Sequence, residues 1–102
     1  MKEDEALYWN PEAMELLART GKAGMRTWHA AAGSMRSGDQ RIGKIKDLAA
    51  AAGVSENTIR RGLQQLEASG LITRDRLGAR IIPESVAYIG PADPPSNERS
   101  DG

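Results

Sequence analysis

The chain has no cysteine and no phenylalanine among its 102 residues. Without thiols, disulfides and thiolate metal sites are excluded. Aromatic residues are confined to Tyr8, Trp9, Trp28 and Tyr88, so Leu, Ile, Ala and Met must fill the interior. The single histidine, His29, adjoins Trp28 and reads as a surface residue. A zinc site would need carboxylates for all its other ligands, so no metal is expected. No apolar run approaches the ~20 residues of a membrane span. The acidic start MKEDEALYW lacks the apolar stretch of a signal peptide. A soluble cytoplasmic protein with no membrane partner is expected. The chain also lacks a Cys-His or Ser-His-Asp set, a Gly-rich phosphate loop and paired carboxylates in apolar surroundings. No enzyme and no cofactor is expected.

What is present is one domain's length of sequence with a hidden charge asymmetry. Lys and Arg number 14, as do Asp and Glu, so the formal net charge is zero. Residues 41–82 nevertheless hold eight Lys/Arg against four Asp/Glu, and both flanks are negative. Such a distribution argues against a non-specific polycation and leaves room for one basic face.

Residues 1–9 are expected to be flexible. Asn10 is a good N-cap, Pro11 suits the first helical position and Glu12 complements the helix dipole. Trp9 and Met14 have the spacing of a hydrophobic staple across that cap. The helix should stop near Thr20-Gly21. Met25, Trp28, Ala32 and Met35 share one face of a second helix. After the loop Arg36-Ser-Gly-Asp-Gln, Arg41-Ile42 could form a very short strand. A third helix covers 44–52, with Ile45, Leu48, Ala49 and Ala52 on one face. Asp47 reads as a surface partner for neighbouring lysines. Gly53 ends this helix, and Ser55 caps a fourth that runs to about Ser69, with Ile59, Leu63 and Leu66 inward. Leu71–Arg74 and Arg80–Ile82 read as a hairpin around Arg76-Leu77-Gly78, stopped by Pro83. Residues 85–90 are either a short strand or an irregular segment. The tail 91–102 is Pro- and charge-rich and is expected to be disordered.

Helix, a three-residue turn Gly53-Val54-Ser55, helix and then a hairpin is the order of a helix-turn-helix followed by a wing. The expected fold is mainly α with a small β-hairpin: a winged helix-turn-helix domain over 10–90 with an extra N-terminal helix. Gly53 suits a left-handed turn. Gly62 lies on the inward side of the fourth helix, where a side chain would hold the two helices of the motif apart. On the other side, Asn57, Arg60, Arg61 and Gln64 recur at i, i+3, i+4 and i+7. These are side chains that read base edges, Arg on guanine and Asn or Gln on adenine. Ser55 and Thr58 at the helix start suit phosphate oxygens. Glu56 is less comfortable near a polyanion; it either accepts from a cytosine N4 or points away. Lys44 and Lys46 could grip the backbone. Arg74, Arg76 and Arg80 cluster on the hairpin, where they would lie along phosphates or dip into a minor groove.

The stretch DLAAAAGVSENTIRRGLQQLEASGLITRDRLGARI resembles the winged helix-turn-helix of bacterial regulators. The nearest pattern is the gluconate-repressor (GntR) type, over about residues 41–83. The resemblance implies DNA binding with the 55–69 helix in the major groove, and contacts from the positions of Thr58, Arg60 and Arg61. That family carries a large C-terminal effector domain, against a short tail here, and the position of Gly62 is usually Ala. The whole chain is also similar to small stand-alone winged-helix proteins of phages, plasmids and mobile elements.

The reading is a sequence-specific, double-stranded DNA-binding transcriptional repressor, nucleoid-associated in the cytoplasm. The alternatives are a plasmid or phage replication or partition factor built on the same module, and a winged helix used for protein–protein contact. A homodimer would need helix 11–20 with Trp9, or the 85–90 segment, as its interface.

Overall fold

The computed structural model describes residues 4–92. Its elements run β1 (Glu5–Trp9), α1 (Pro11–Ala18), α2 (Lys22–Ser34), α3 (Ile45–Ala52), α4 (Glu56–Ala68), β2 (Thr73–Arg74), β3 (Arg80–Ile81) and β4 (Ala87–Pro91). The architecture is mainly α with a small β-hairpin, a winged helix-turn-helix. Two antiparallel ladders flank the helices, β1 with β4 and β2 with β3.

The helix boundaries follow local chemistry. Asn10 Oδ1 accepts from the Glu12 N–H at 2.9 Å, and Pro11 opens α1. Ser55 Oγ accepts from the Thr58 N–H at 3.1 Å and starts α4. Gly53 closes α3 at φ 69°, ψ 34°, the left-handed conformation that favours a residue without Cβ. α2 begins at Lys22, three residues before the apolar stripe that marks it in the sequence, because Gly21 and Lys22 carry no apolar signal.

Trp28, Leu48, Ile59, Leu63, Leu66, Leu71, Ile72 and Ile82 are all buried and knit α2, α3, α4 and the hairpin into one core. Full burial of each large aliphatic side chain is worth about 1.5–3 kcal/mol. α4 reaches this core through an unusually close approach to α2. A Cβ placed on Gly62 would fall 2.5 Å from the Ala23 carbonyl oxygen and closer still to the Thr27 hydroxyl. The expectation that Gly62 permits close packing therefore holds, but its partner is different. Gly62 meets α2, not α3, because the Ile59–Leu63–Leu66 stripe is wide enough to serve both neighbours and periodicity alone does not say which sits where.

The N-terminal segment is a correction. Residues 1–9 are expected to be flexible, yet Glu5–Trp9 forms β1 and pairs along its whole length with β4, from Glu5↔Pro91 to Trp9↔Ala87. Five residues, EALYW, are too few to show a period against their acidic prefix, and their partner lies some eighty residues away. The same pairing resolves the 85–90 segment as a strand and brings Pro91 into it. Ala92 donates its N–H to the Asp4 carbonyl at 2.7 Å. Residues 1–3 and 93–102, and with them most of the expected tail, lie outside the described residues. Trp9, 50% exposed, rests near Trp28 at 6.0 Å between ring centroids.

Gly62→Ala should destabilise the protein despite Ala's better helix propensity. Propensity favours Ala by about 1 kcal/mol, while overpacking a tight contact costs about 1–3 kcal/mol. A lowered urea midpoint is expected. A raised midpoint would mean that α2 and α4 can separate without loss.

Candidate nucleic-acid interface

The turn between α3 and α4 sets the interface. Val54 N–H donates to Ala49 O at 3.1 Å across the Gly53 turn, and Val54 packs partly buried against the core. With Ile59, Gly62, Leu63 and Leu66 turned inward, the opposite surface of α4 is left to solvent. Asn57, Arg60, Arg61 and Gln64 are all exposed there. Among the described residues, Asn57 and Gln64 make no side-chain hydrogen bond and Arg61 no ion pair.

Glu56 has a partner. Its Oε1 lies 3.4 Å from Arg60 Nη2, an i,i+4 pair with both side chains about half exposed. An acidic residue in the first turn suits the helix dipole, and the pair holds the Arg60 guanidinium toward the helix start. At this exposure the pair's contribution to stability is small. Ser55 and Thr58 turn their hydroxyls on each other, 3.0 Å apart. The Ser55 oxygen is thus engaged in capping, and Thr58 is half-buried. Lys44 is the N-cap residue of α3, and Lys46 lies on its first turn. Both are exposed and without an ion pair among the described residues. Asp47, expected to pair with them, makes no ion pair either.

The three hairpin arginines divide. Arg76 is exposed at the tip. Arg74 Nε lies 3.2 Å from Glu67 Oε2, and its Nη1 donates to the Gly78 carbonyl at 3.1 Å. Arg80 Nε lies 3.6 Å from the same Glu67 oxygen, with the side chain 30% exposed. Glu67 follows Arg60 by seven residues and Gln64 by three, so it ends the solvent-facing stripe of α4. One carboxylate therefore ties the wing to the last turn of that helix. Sequence reasoning missed Glu67; its spacing from Arg60 and Gln64 was legible, but its partners lie across the turn.

A second unread feature supports the wing from below. Arg41 and Ile81 form a bridge beside β3, and Ile42 N–H donates to Arg80 O at 3.2 Å. The expected strand at Arg41-Ile42 is reduced to this one bridge. Arg41 also chelates Asp39, Nε to Oδ1 and Nη2 to Oδ2, each at 3.1 Å. These hydrogen bonds hold the Asp39 carboxyl below its ordinary pKa. Gln40 Nε2 donates to the carbonyls of Ile82 at 2.6 Å and Ala87 at 2.7 Å, linking the wing's end to β4.

An open depression of about 590 Å³ between α2 and α3, lined by Arg26, His29, Gly33, Asp47 and Ala51 among others, shares no residue with the α4 stripe. Among the described residues there is no cluster of His, Cys, Asp and Glu able to hold a metal. No helix of the described residues is long and apolar enough to cross a membrane.

A helix-turn-helix whose second helix exposes amide and guanidinium groups, backed by a wing, is a DNA-binding architecture. Comparison with known families agrees: residues 39–85 match the model of the DeoR-like helix-turn-helix domain. This segment is a helix-turn-helix DNA-binding domain of the kind bacterial transcription regulators carry. The match extends from the Asp39 loop through the wing to Ser85 and leaves out β1, α1, α2 and β4. No curated protein and no solved structure matches the chain. The likeness to the gluconate-repressor type, and to phage or plasmid proteins, rests on the residue pattern alone.

Glu67→Gln should loosen the wing without unfolding the domain. Exposed ion pairs contribute roughly 0–1 kcal/mol, so amide exchange across 73–81 should quicken by up to about fivefold with far-UV dichroism unchanged. Unaltered exchange would mean that the backbone ladder alone holds the hairpin.

Proposed function

We propose that this protein is a sequence-specific transcriptional repressor that binds double-stranded DNA with α4 in the major groove and the wing along the backbone. The observation that carries this reading is the single exposed stripe of Asn57, Arg60, Arg61 and Gln64 on a helix whose other face is fully committed to the core. Arg61, exposed and without an ion pair, is the first choice for a bidentate contact to guanine. Arg60 reaches the same groove with Glu56 as its tether. In exchange for DNA, Arg60 can leave a carboxylate at 3.4 Å for a base edge, which makes Glu56 a positioning residue. Its position at the helix start also lets it accept from a cytosine N4.

Around this stripe, Lys44, Lys46, Ser55 and Thr58 serve the phosphates before and at the start of α4. Arg76 serves them at the wing tip. Arg74 and Arg80 meet DNA only with the guanidinium edges that Glu67 leaves free, so their contribution is smaller than their charge suggests. The basic middle of the chain supplies the electrostatic footprint, while the neutral total limits binding elsewhere.

Arg60→Ala and Arg61→Ala should each weaken operator binding by about 1–3 kcal/mol, read by titration against a site obtained through in-vitro selection. Affinity unchanged in both would remove α4 as the reading element. Sites that map to promoters, not to a replication origin, favour a repressor over a replication factor. With about five phosphates neutralised, log K should fall against log[salt] with a slope near −4.5. A flat response in a salt titration would exclude this footprint.

A further inference from the structure

A second basic surface lies outside the 41–82 stretch. Residues 16–38 contain four cations, Arg19, Lys22, Arg26 and Arg36, and no Asp or Glu. They span the end of α1, all of α2 and the loop that follows, and stand outside the segment that matches the helix-turn-helix model. All four cations are exposed. Among the described residues none of them makes an ion pair.

Local chemistry accounts for two of the four. Arg19 is the C-cap of α1, where a cation suits the helix dipole. Arg36 forms a backbone bridge with Asp39 in a turn. Lys22 and Arg26 have no such reason. Lys22 is the first residue of α2, where a cation is disfavoured. That first turn holds no acidic residue, and Gly21 supplies no side-chain cap. Arg26 follows one turn later on the same face. The two line one depression of about 350 Å³ with Thr20, Gly21 and Met25. Asp47 borders a separate depression with Arg26 and does not pair with it.

Two glycines set where this face lies. A Cβ on Gly24 would fall 2.9 Å from Gln65 Oε1, and one on Gly21 would lie 3.8 Å from Gln65 Nε2. The first turn of α2 is thus seated against the Gln65 side chain of α4. Gln65 follows Arg61 by four residues, one turn further along the same edge of α4. The start of α2 therefore borders the Arg61 edge of the exposed stripe, with the uncharged Gln65 between them.

We infer that Lys22 and Arg26 form a second phosphate-binding surface, which grips the DNA backbone beside the groove that α4 enters. Two cations one turn apart, with no carboxylate at ion-pair distance, suit the phosphates of a strand. Continuity with the Arg61 edge selects DNA over an acidic protein as the partner. Contacts to phosphate fix how a protein sits on the duplex and carry no sequence information. α2 therefore orients the domain, and α4 reads the site.

This surface rests on the DNA-binding reading of α4, and one set of titrations separates the two. On the selected operator, Arg61→Ala reports on α4, and the double variant Lys22→Gln, Arg26→Gln reports on α2. Removal of a cation from the first turn of α2 should leave the thermal midpoint equal or raised. Each lost phosphate contact takes about 0.9 from the slope of log K against log[salt]. The double variant should therefore show a slope shallower by about 1.8, with the preferred sequence unchanged. The charge-conserving variant Lys22→Arg, Arg26→Lys should keep the wild-type slope. Arg36→Gln, at the other end of α2, should also keep it. An unaltered slope in the double variant, with Arg61→Ala still weakening binding, would overturn the role of α2 alone. So would an equal loss per charge in Arg36→Gln, which would reduce the effect to net charge. A wild-type chain that binds no DNA would overturn both readings.

Discussion

The contact on which this structure depends is the near-touch of α2 and α4 at Gly62. Thr27 and the Ala23 carbonyl occupy the space a side chain would need. A second glycine, Gly24 on α2, packs against Thr20 and the Gln65 side chain in the same interface. With the two helices this close, α4 cannot rotate. Ile59, Leu63 and Leu66 must face the core, and the stripe from Asn57 to Gln64 must face water. The rotation of one helix thus decides which side chains are available to a ligand, and the steric fit of a glycine decides the rotation.

Electrostatics then refines what packing has exposed. A chain with no net charge cannot rely on long-range attraction to the DNA polyanion from its whole surface. It concentrates its cations between residues 41 and 82 and sets two of that stretch's four carboxylates along α4, Glu56 at the start of the exposed stripe and Glu67 at its end. Each is paired with arginine, Glu56 with Arg60 and Glu67 with Arg74 and Arg80. Such pairs add little stability at the surface. Their effect is geometric: long flexible side chains are held near one orientation before any ligand arrives, and among the described residues the cations of 41–82 left without an ion pair are Arg61, Lys44, Lys46 and Arg76.

The two small sheets show how a marginal element is made stable. A two-stranded ladder has little independent stability. The wing is tethered by Glu67 on one side and by the Arg41 bridge on the other. The β1–β4 ladder is held by Gln40, by the buried Ala87 and Ile89, and by the stacked tyrosines on its outer face.

Caps, turns and helical stripes were legible in the chain itself. Asn10, Ser55 and Gly53 act within a few residues of their position in sequence, and their chemistry has one common use there. The helix-turn-helix order and the outward residues Asn57, Arg60, Arg61 and Gln64 followed from the same local rules. What lies between distant residues did not. The pairing of Glu5–Trp9 with Ala87–Pro91, the seat of Gly62 against α2, and the shared hold of Glu67 on two wing arginines all join segments that no period or motif connects. Local sequence determines which conformations each segment prefers, because caps and side-chain spacing act over one or two turns. Only the packed structure decides which partner fills a gap or meets a charge, because that choice depends on how every other segment is already placed.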